Sequence, residues 1–130
     1  PGKEVFATDA CVPISRLAHC VLETKADADA TGLVAPIVGH VGDGNFHVAY
    51  LIDPKIPAER DTAERLNAQL VQRALRLEGT CTGEHGIGLH KMPYLLDEAG
   101  PGAVAMMRNI KRALDPQNIM NPGKIFSLLP

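Results

Sequence analysis

The sequence predicts an α+β fold, a ferredoxin-like antiparallel sheet with helices on one face and helical additions at the C-terminal end. Three observations lead there. Apolar periodicity alternates between that of strands and that of helices in the order β-α-β-β-α-β. The stretch GHVGDGNFH, Gly39–His47, places a hairpin turn signal between two apolar runs. At 130 residues the chain is the size of one domain, 1–130, able to bury roughly two-thirds of its unfolded surface.

Taken in order, EVFATDACV (Glu4–Val12) is small and β-branched and reads as a strand. Pro13 suits a first helical turn, and Ile14, Leu17, Ala18, Val21 and Leu22 recur at helical spacing until the pattern fades before Gly32. LVAPIVGH and NFHVAYLI form the hairpin, with Pro36 at an edge or irregularity. Pro57 opens a second helix whose face is Ala63, Leu66, Leu70, Ala74 and Leu77, stopped by Gly79; its charges form a solvated face. TCTGEHGIG is a short fourth strand running into a glycine-rich loop. A short helix covers Tyr94–Glu98. A last one, from about Pro101 to Pro116, buries Ala103, Met106, Met107, Ile110 and Leu114.

Composition narrows the function. A net charge of −2 without a basic stripe excludes nucleic acid as a partner and gives no steering to an anionic membrane. The apolar runs are too short to span a bilayer. Cys11, Cys20 and Cys81 are an odd, unclustered set, which points to a reducing compartment. The chain opens at Pro1 rather than Met, as a piece of a longer protein would.

The histidines carry the chemistry. If Asp43 and Gly44 are the central residues of a type I′ turn, His40 stands opposite His47 with Cβ atoms roughly 5 Å apart. Two imidazoles at that distance suit one metal ion, and two imidazolium ions there would repel. In CTGEHGIGLHK, Glu84 completes a two-histidine, one-carboxylate set, a catalytic zinc shell that also suits ferrous iron or manganese. Gly83 and Gly86 allow a backbone that aims both Glu84 and His85 inward. Neither glycine-rich stretch has phosphate-loop spacing. His19 and His90 read as structural residues. Two other classes stay open: a non-catalytic metal-binding ferredoxin-like module, its shell closed by a fourth ligand such as Cys81, and an interaction domain with the histidines in its core.

GHVGDGNFHVAY, CTGEHGIGLHK and MRNIKRALDPQNIMNPGKIF together resemble the C-terminal part of the FAD-linked oxidases that act on 2-hydroxy acids. These include D-lactate dehydrogenases, D-2-hydroxyglutarate dehydrogenases and the flavin subunit of glycolate oxidase. ATDACVPISRLAHCV is most similar to the glycolate oxidase and D-lactate dehydrogenase type. The resemblance implies an FAD-dependent oxidoreductase acting on CH–OH, in which this chain is the cap and substrate domain, inactive by itself. FAD is then held mainly by an N-terminal domain absent from this sequence. By the same resemblance His40, His47 and Glu84 hold a divalent metal, zinc before others; Asn45 contacts substrate; His85 takes the hydroxyl proton; and Asn121 and Lys124 of NPGK approach the flavin. The 2-hydroxyglutarate members carry a lysine near the start of the first strand, where this chain has Ala7-Thr8, which speaks against a dicarboxylate substrate. The implied partners are a small 2-hydroxy acid, the FAD-binding domain of the same chain, further oxidase subunits, and a second copy through uncovered apolar surface. The implied location is cytoplasmic, with peripheral membrane attachment through partner subunits.

Overall fold

Strict alternation in NFHVAYLI separates the two faces of a sheet. In the computed structural model, which describes residues 2–128, this segment is the central strand β3 (Asn45–Ile52). It lies between β1 (Glu4–Cys11) and β2 (Ile37–His40), and both pair with it antiparallel. Phe46, Val48, Tyr50 and Ile52 are buried against α1 (Ile14–Thr31) and α2 (Pro57–Arg76). Their partners are Leu17, Cys20 and Ala28 of α1 and Ala63, Leu66, Leu70 and Ala74 of α2. Each large apolar side chain so removed from water contributes about 1.5–3 kcal/mol. Asn45, His47, Ala49 and Leu51 therefore occupy the face turned away from these helices. These elements belong to the first of two compact units, Pro1–Glu84 and His85–Pro130.

Several expectations are corrected here. The buried stripe of α1 is Leu17, Cys20, Thr24 and Ala28, whereas Ile14 and Leu22 are exposed. Small residues on that stripe bring the helix close, and Thr24 is tolerated because its hydroxyl donates to the Cys20 carbonyl at 2.7 Å. The second helix does not present its charges only to water: Arg73 is buried. Its guanidinium donates to Glu23 (2.8 Å), Thr24 (3.0 Å) and Asp27, tying α2 to α1. Burial alone would lower the Arg73 pKa, but the Asp27 and Glu23 carboxylates more than offset it and hold it above the ordinary value. The helix ends before Gly79, and Glu78 takes the left-handed conformation with φ 62°.

The fourth strand is reduced to one bridge, in which Thr80 and Cys11 exchange backbone hydrogen bonds of 2.8 and 3.3 Å. The chain then leaves the sheet: the Thr82 N–H donates to the Thr80 hydroxyl at 3.4 Å, and those of Gly83 and Glu84 donate to the Asp9 carboxylate. The hairpin is also looser than a two-residue turn. A 3₁₀ turn, Val41–Asp43, and Gly44 (φ 73°) join the strands, so His40 pairs with Asn45 and Val38 with His47. Pro36 falls between the isolated Val34–Leu51 bridge and β2, at the edge of the sheet.

Tyr50 is a core side chain with an unpaired polar atom. Its hydroxyl is buried without a hydrogen-bond partner among the described residues, and burial pushes its pKa up from 10 to about 12, with Arg73 opposing. The native core thus holds the neutral phenol. That stabilisation is complete below pH 10 and is lost as pH rises toward 12, a change of about 2–3 kcal/mol. Urea-unfolding midpoints are expected to fall over that window in the native protein and to fall less in Tyr50→Phe. At neutral pH the variant should match or exceed native stability, since it removes an unpaired buried hydroxyl. A Tyr50→Phe protein with an unchanged alkaline loss would contradict this.

In the second unit, α3 (Met92–Leu114) is two helices joined at Gly100 (φ 78°, ψ 162°), with Pro101 opening the second. This matches the expected pair of helices but not their burial. Leu95 and Val104 are buried, Met107 is half-buried, and Ala103, Met106, Ile110 and Leu114 are exposed. Beyond these two helices the unit has no regular helix or strand among the described residues to cover that stripe. Past the helix, Asp115 receives Lys111 and the N–H groups of Ile119 (3.0 Å) and Met120 (2.9 Å), which fastens the tail. The Lys111 ammonium first, and those amides, hold the Asp115 carboxyl below its ordinary value. No helix among the described residues is long and apolar enough to cross a membrane.

Candidate metal and substrate site

The two-residue shift of the hairpin preserves the site because strand side chains alternate with period two. His40 and His47 are diagonal neighbours rather than directly opposed, yet they still share the sheet face away from α1 and α2. Their rings stand 5.9 Å apart and perpendicular. Gly44 makes the turn possible: a Cβ there would overlap the Val12 carbonyl, and its φ is positive. From the segment after the Thr80 bridge, Glu84 brings its carboxylate to 3.0 Å from His47 Nε2 and 3.7 Å from His40 Nε2. The His47 side chain is 17% exposed, against 60% for His40 and 49% for Glu84, so the group is anchored at one end and open to solvent at the other.

One ligand atom from each of the three residues lies within 4.8 Å of the others. Donors bonded to one tetrahedral zinc are ~3.4 Å apart at ordinary Zn–N and Zn–O lengths, a spacing bracketed by the 3.0 and 3.7 Å distances found here. The donor set and its spacing fit a divalent cation. Cys81, the fourth ligand that a closed shell would need, is fully buried and stands outside this group.

Asn45 adjoins the cluster. It is buried, and its Oδ1 has no hydrogen-bond partner among the described residues. It also fixes the identity of Gly83, where a Cβ would overlap the Asn45 amide. His85 follows Glu84 in the chain, is exposed, and opens the second unit. In that unit Asn121 (φ 46°) and Lys124 are exposed in a turn closed by Lys124 N–H to the Asn121 carbonyl, beside a recess of about 230 Å³. His19 is an exposed α1 residue 3.6 Å from Glu23, and His90 is exposed in the second unit.

Sequence reasoning passed over Asp9. It is fully buried in β1 and pairs in register with His47. Its Oδ2 accepts the N–H groups of Gly83 and Glu84 at 2.7 Å each and the Thr82 hydroxyl at 3.3 Å. The signal was present: aspartate is disfavoured in strands, and this one sits inside the apolar and β-branched run that predicts one.

The family described as FAD linked oxidases, C-terminal domain, matches residues 1–125. The chain is 49% identical over 128 residues to "Probable D-lactate dehydrogenase, mitochondrial" of Danio rerio, covering 98% of this chain and 26% of that protein. It is 38% identical over 119 residues to "Glycolate oxidase subunit GlcD" of Bacillus subtilis, covering 92% and 25%. It is 34% identical over 131 aligned positions to "D-2-hydroxyglutarate dehydrogenase" of Xanthomonas citri pv. viticola, covering 93% and 26%. The chain spans about a quarter of the length of these relatives. An α+β chain that matches this family from residue 1 to residue 125 belongs to the FAD-linked oxidases, as their C-terminal domain.

Proposed function

We propose that the protein is a flavin-dependent 2-hydroxy-acid dehydrogenase of the D-lactate or glycolate type, in which residues 1–130 build the substrate and metal part of the cap. The observation that carries the reading is the convergence of His40, His47 and Glu84 on one sheet face in a chain of this family. Oxidation of a 2-hydroxy acid removes two electrons and two protons. FAD, held mainly by the N-terminal domain, supplies the electron acceptor when bound. A divalent cation, zinc before others, held by His40, His47 and Glu84, supplies a Lewis acid for the hydroxyl and carboxylate of the substrate. The chain's own residues do the rest. His85 accepts the hydroxyl proton at an imidazole nitrogen. Asn45, whose buried amide adjoins the cluster with its carbonyl oxygen unpaired among the described residues, contacts the substrate. The exposed Asn121–Lys124 turn supplies a cation and an amide for the flavin side of the site.

The relatives' names divide by substrate, and Ala7-Thr8 provides no cation for a second carboxylate, so a monocarboxylate is favoured. The exposed stripe Met106, Ile110 and Leu114 supports self-association or cover by another part of the oxidase. Further oxidase subunits, and any membrane attachment through them, belong to the same reading. The test is anaerobic mixing of the full-length flavoprotein, loaded with zinc, with D-lactate, glycolate and D-2-hydroxyglutarate. D-Lactate or glycolate should bleach the flavin band faster than the dicarboxylate. A flavin that dithionite reduces but none of the three acids bleaches would overturn the proposal.

A further inference from the structure

We propose that Asp9 is the positioning residue of this site, its buried carboxylate fixing the backbone of Gly83 and Glu84 and so the stance of Glu84 toward His47 and His40. The inference rests on the metal reading of those three residues. Thr8 donates to Asn67 of α2 at 2.6 Å and Ala10 lies in the helix-side core, so alternation turns Asp9 to the histidine face. There a single oxygen, Oδ2, holds two successive amides at 2.7 Å, bonds strengthened by the negative charge. The Thr82 hydroxyl adds a third at 3.3 Å.

Those bonds matter because the segment has no strand pairing beyond Thr80 among the described residues. They take the place of the missing ladder. Asn45 closes the other side, since its amide occupies the space a side chain at position 83 would need. Backbone held from both sides leaves Glu84 only its side-chain torsions with which to reach 3.0 Å from His47. Without Asp9 the ordering of this segment would have to be supplied by metal binding itself. Partners that orient a ligand from outside the coordination shell are worth about 10–100-fold in metal affinity.

The experiment titrates zinc, by competition with a chromophoric chelator, into metal-free full-length protein. It compares the native form with Asp9→Ala, Asp9→Asn and Glu84→Ala, and unfolding midpoint and flavin content are read on the same preparations. Asp9→Ala should bind zinc about 10–100-fold more weakly at native flavin content. Asparagine keeps an oxygen acceptor at about half the hydrogen-bond strength, so Asp9→Asn should lose only about 3–10-fold. Native affinity in either folded Asp9 variant overturns the inference. So does an Asp9→Asn affinity as low as that of Glu84→Ala, which would mean that the charge and not the anchoring acts on the metal. If Asp9→Ala does not fold, Asp9→Asn decides by the same limits. Native affinity in Glu84→Ala removes the metal reading and this inference with it, whereas loss in Glu84→Ala alone removes only the role of Asp9.

Discussion

Asparagine in place of His85 is expected to leave flavin and metal bound and to lower kcat by about 10²–10⁴-fold, the usual contribution of a positioned general base. In the proposed reaction, removing hydride from a neutral alcohol is far harder than from its alkoxide, so losing the acceptor of the hydroxyl proton is expected to slow the chemical step. Asparagine keeps polarity and approximate size but cannot take up that proton. The competing role for His85 is to hold the loop between two glycines, Gly83 and Gly86. That role predicts lower stability with kcat nearly intact. Chemical rescue separates the two. Added imidazole should restore part of the turnover of His85→Gly, because a free base can occupy the vacated space, and should do nothing for a loop defect. Native kcat in His85→Asn, or no response of His85→Gly to imidazole together with a lowered unfolding midpoint, would take His85 out of the chemistry.

The parts of the fold read correctly from the sequence are those set by strong local rules. Pro57 opens α2, Gly32 closes α1 with φ 76°, and Ala63, Leu66, Leu70 and Ala74 are the buried face of α2. The parts misread depend on contacts distant in sequence. The fourth strand ends at Thr80, and the amides of Gly83 and Glu84 go instead to the carboxylate of Asp9, more than seventy positions earlier. The stripe of Met106, Ile110 and Leu114 has a helix's periodicity, which says that a face is apolar but not that something covers it. The register of the hairpin was two residues off, an error that leaves every side chain on its face, so the histidine pair was legible although its opposition was not. Arg73 was invisible as a buried residue because its partners, Glu23 and Asp27, lie on another helix.

Removing Glu84 is expected to cost more zinc affinity than removing any residue outside the coordination group. Outer partners are worth about 10–100-fold, so Glu84→Ala should lose at least about 100-fold, and His47→Ala a similar amount. The carboxylate is the one anion among these three ligands, and it stands within 3.7 Å of both imidazoles, so its loss leaves two imidazole donors and no charged ligand in the group. Glu84→Gln keeps an oxygen and the side-chain length. It should retain more zinc than Glu84→Ala but far less than the native protein, because a neutral amide is a poor ligand for zinc. His47, the least exposed of the three, should matter at least as much as His40. The alternative is that Glu84 and His47 form only an ion pair on the sheet face. Such partly exposed pairs contribute about 0–1 kcal/mol to stability and hold no metal. Under that alternative, zinc content after dialysis would be equal in native protein and variants, and a chelator would leave turnover unchanged. Under the metal reading, chelation of the native protein reproduces the Glu84→Ala defect. Added zinc then restores turnover to the native protein and not to the variant.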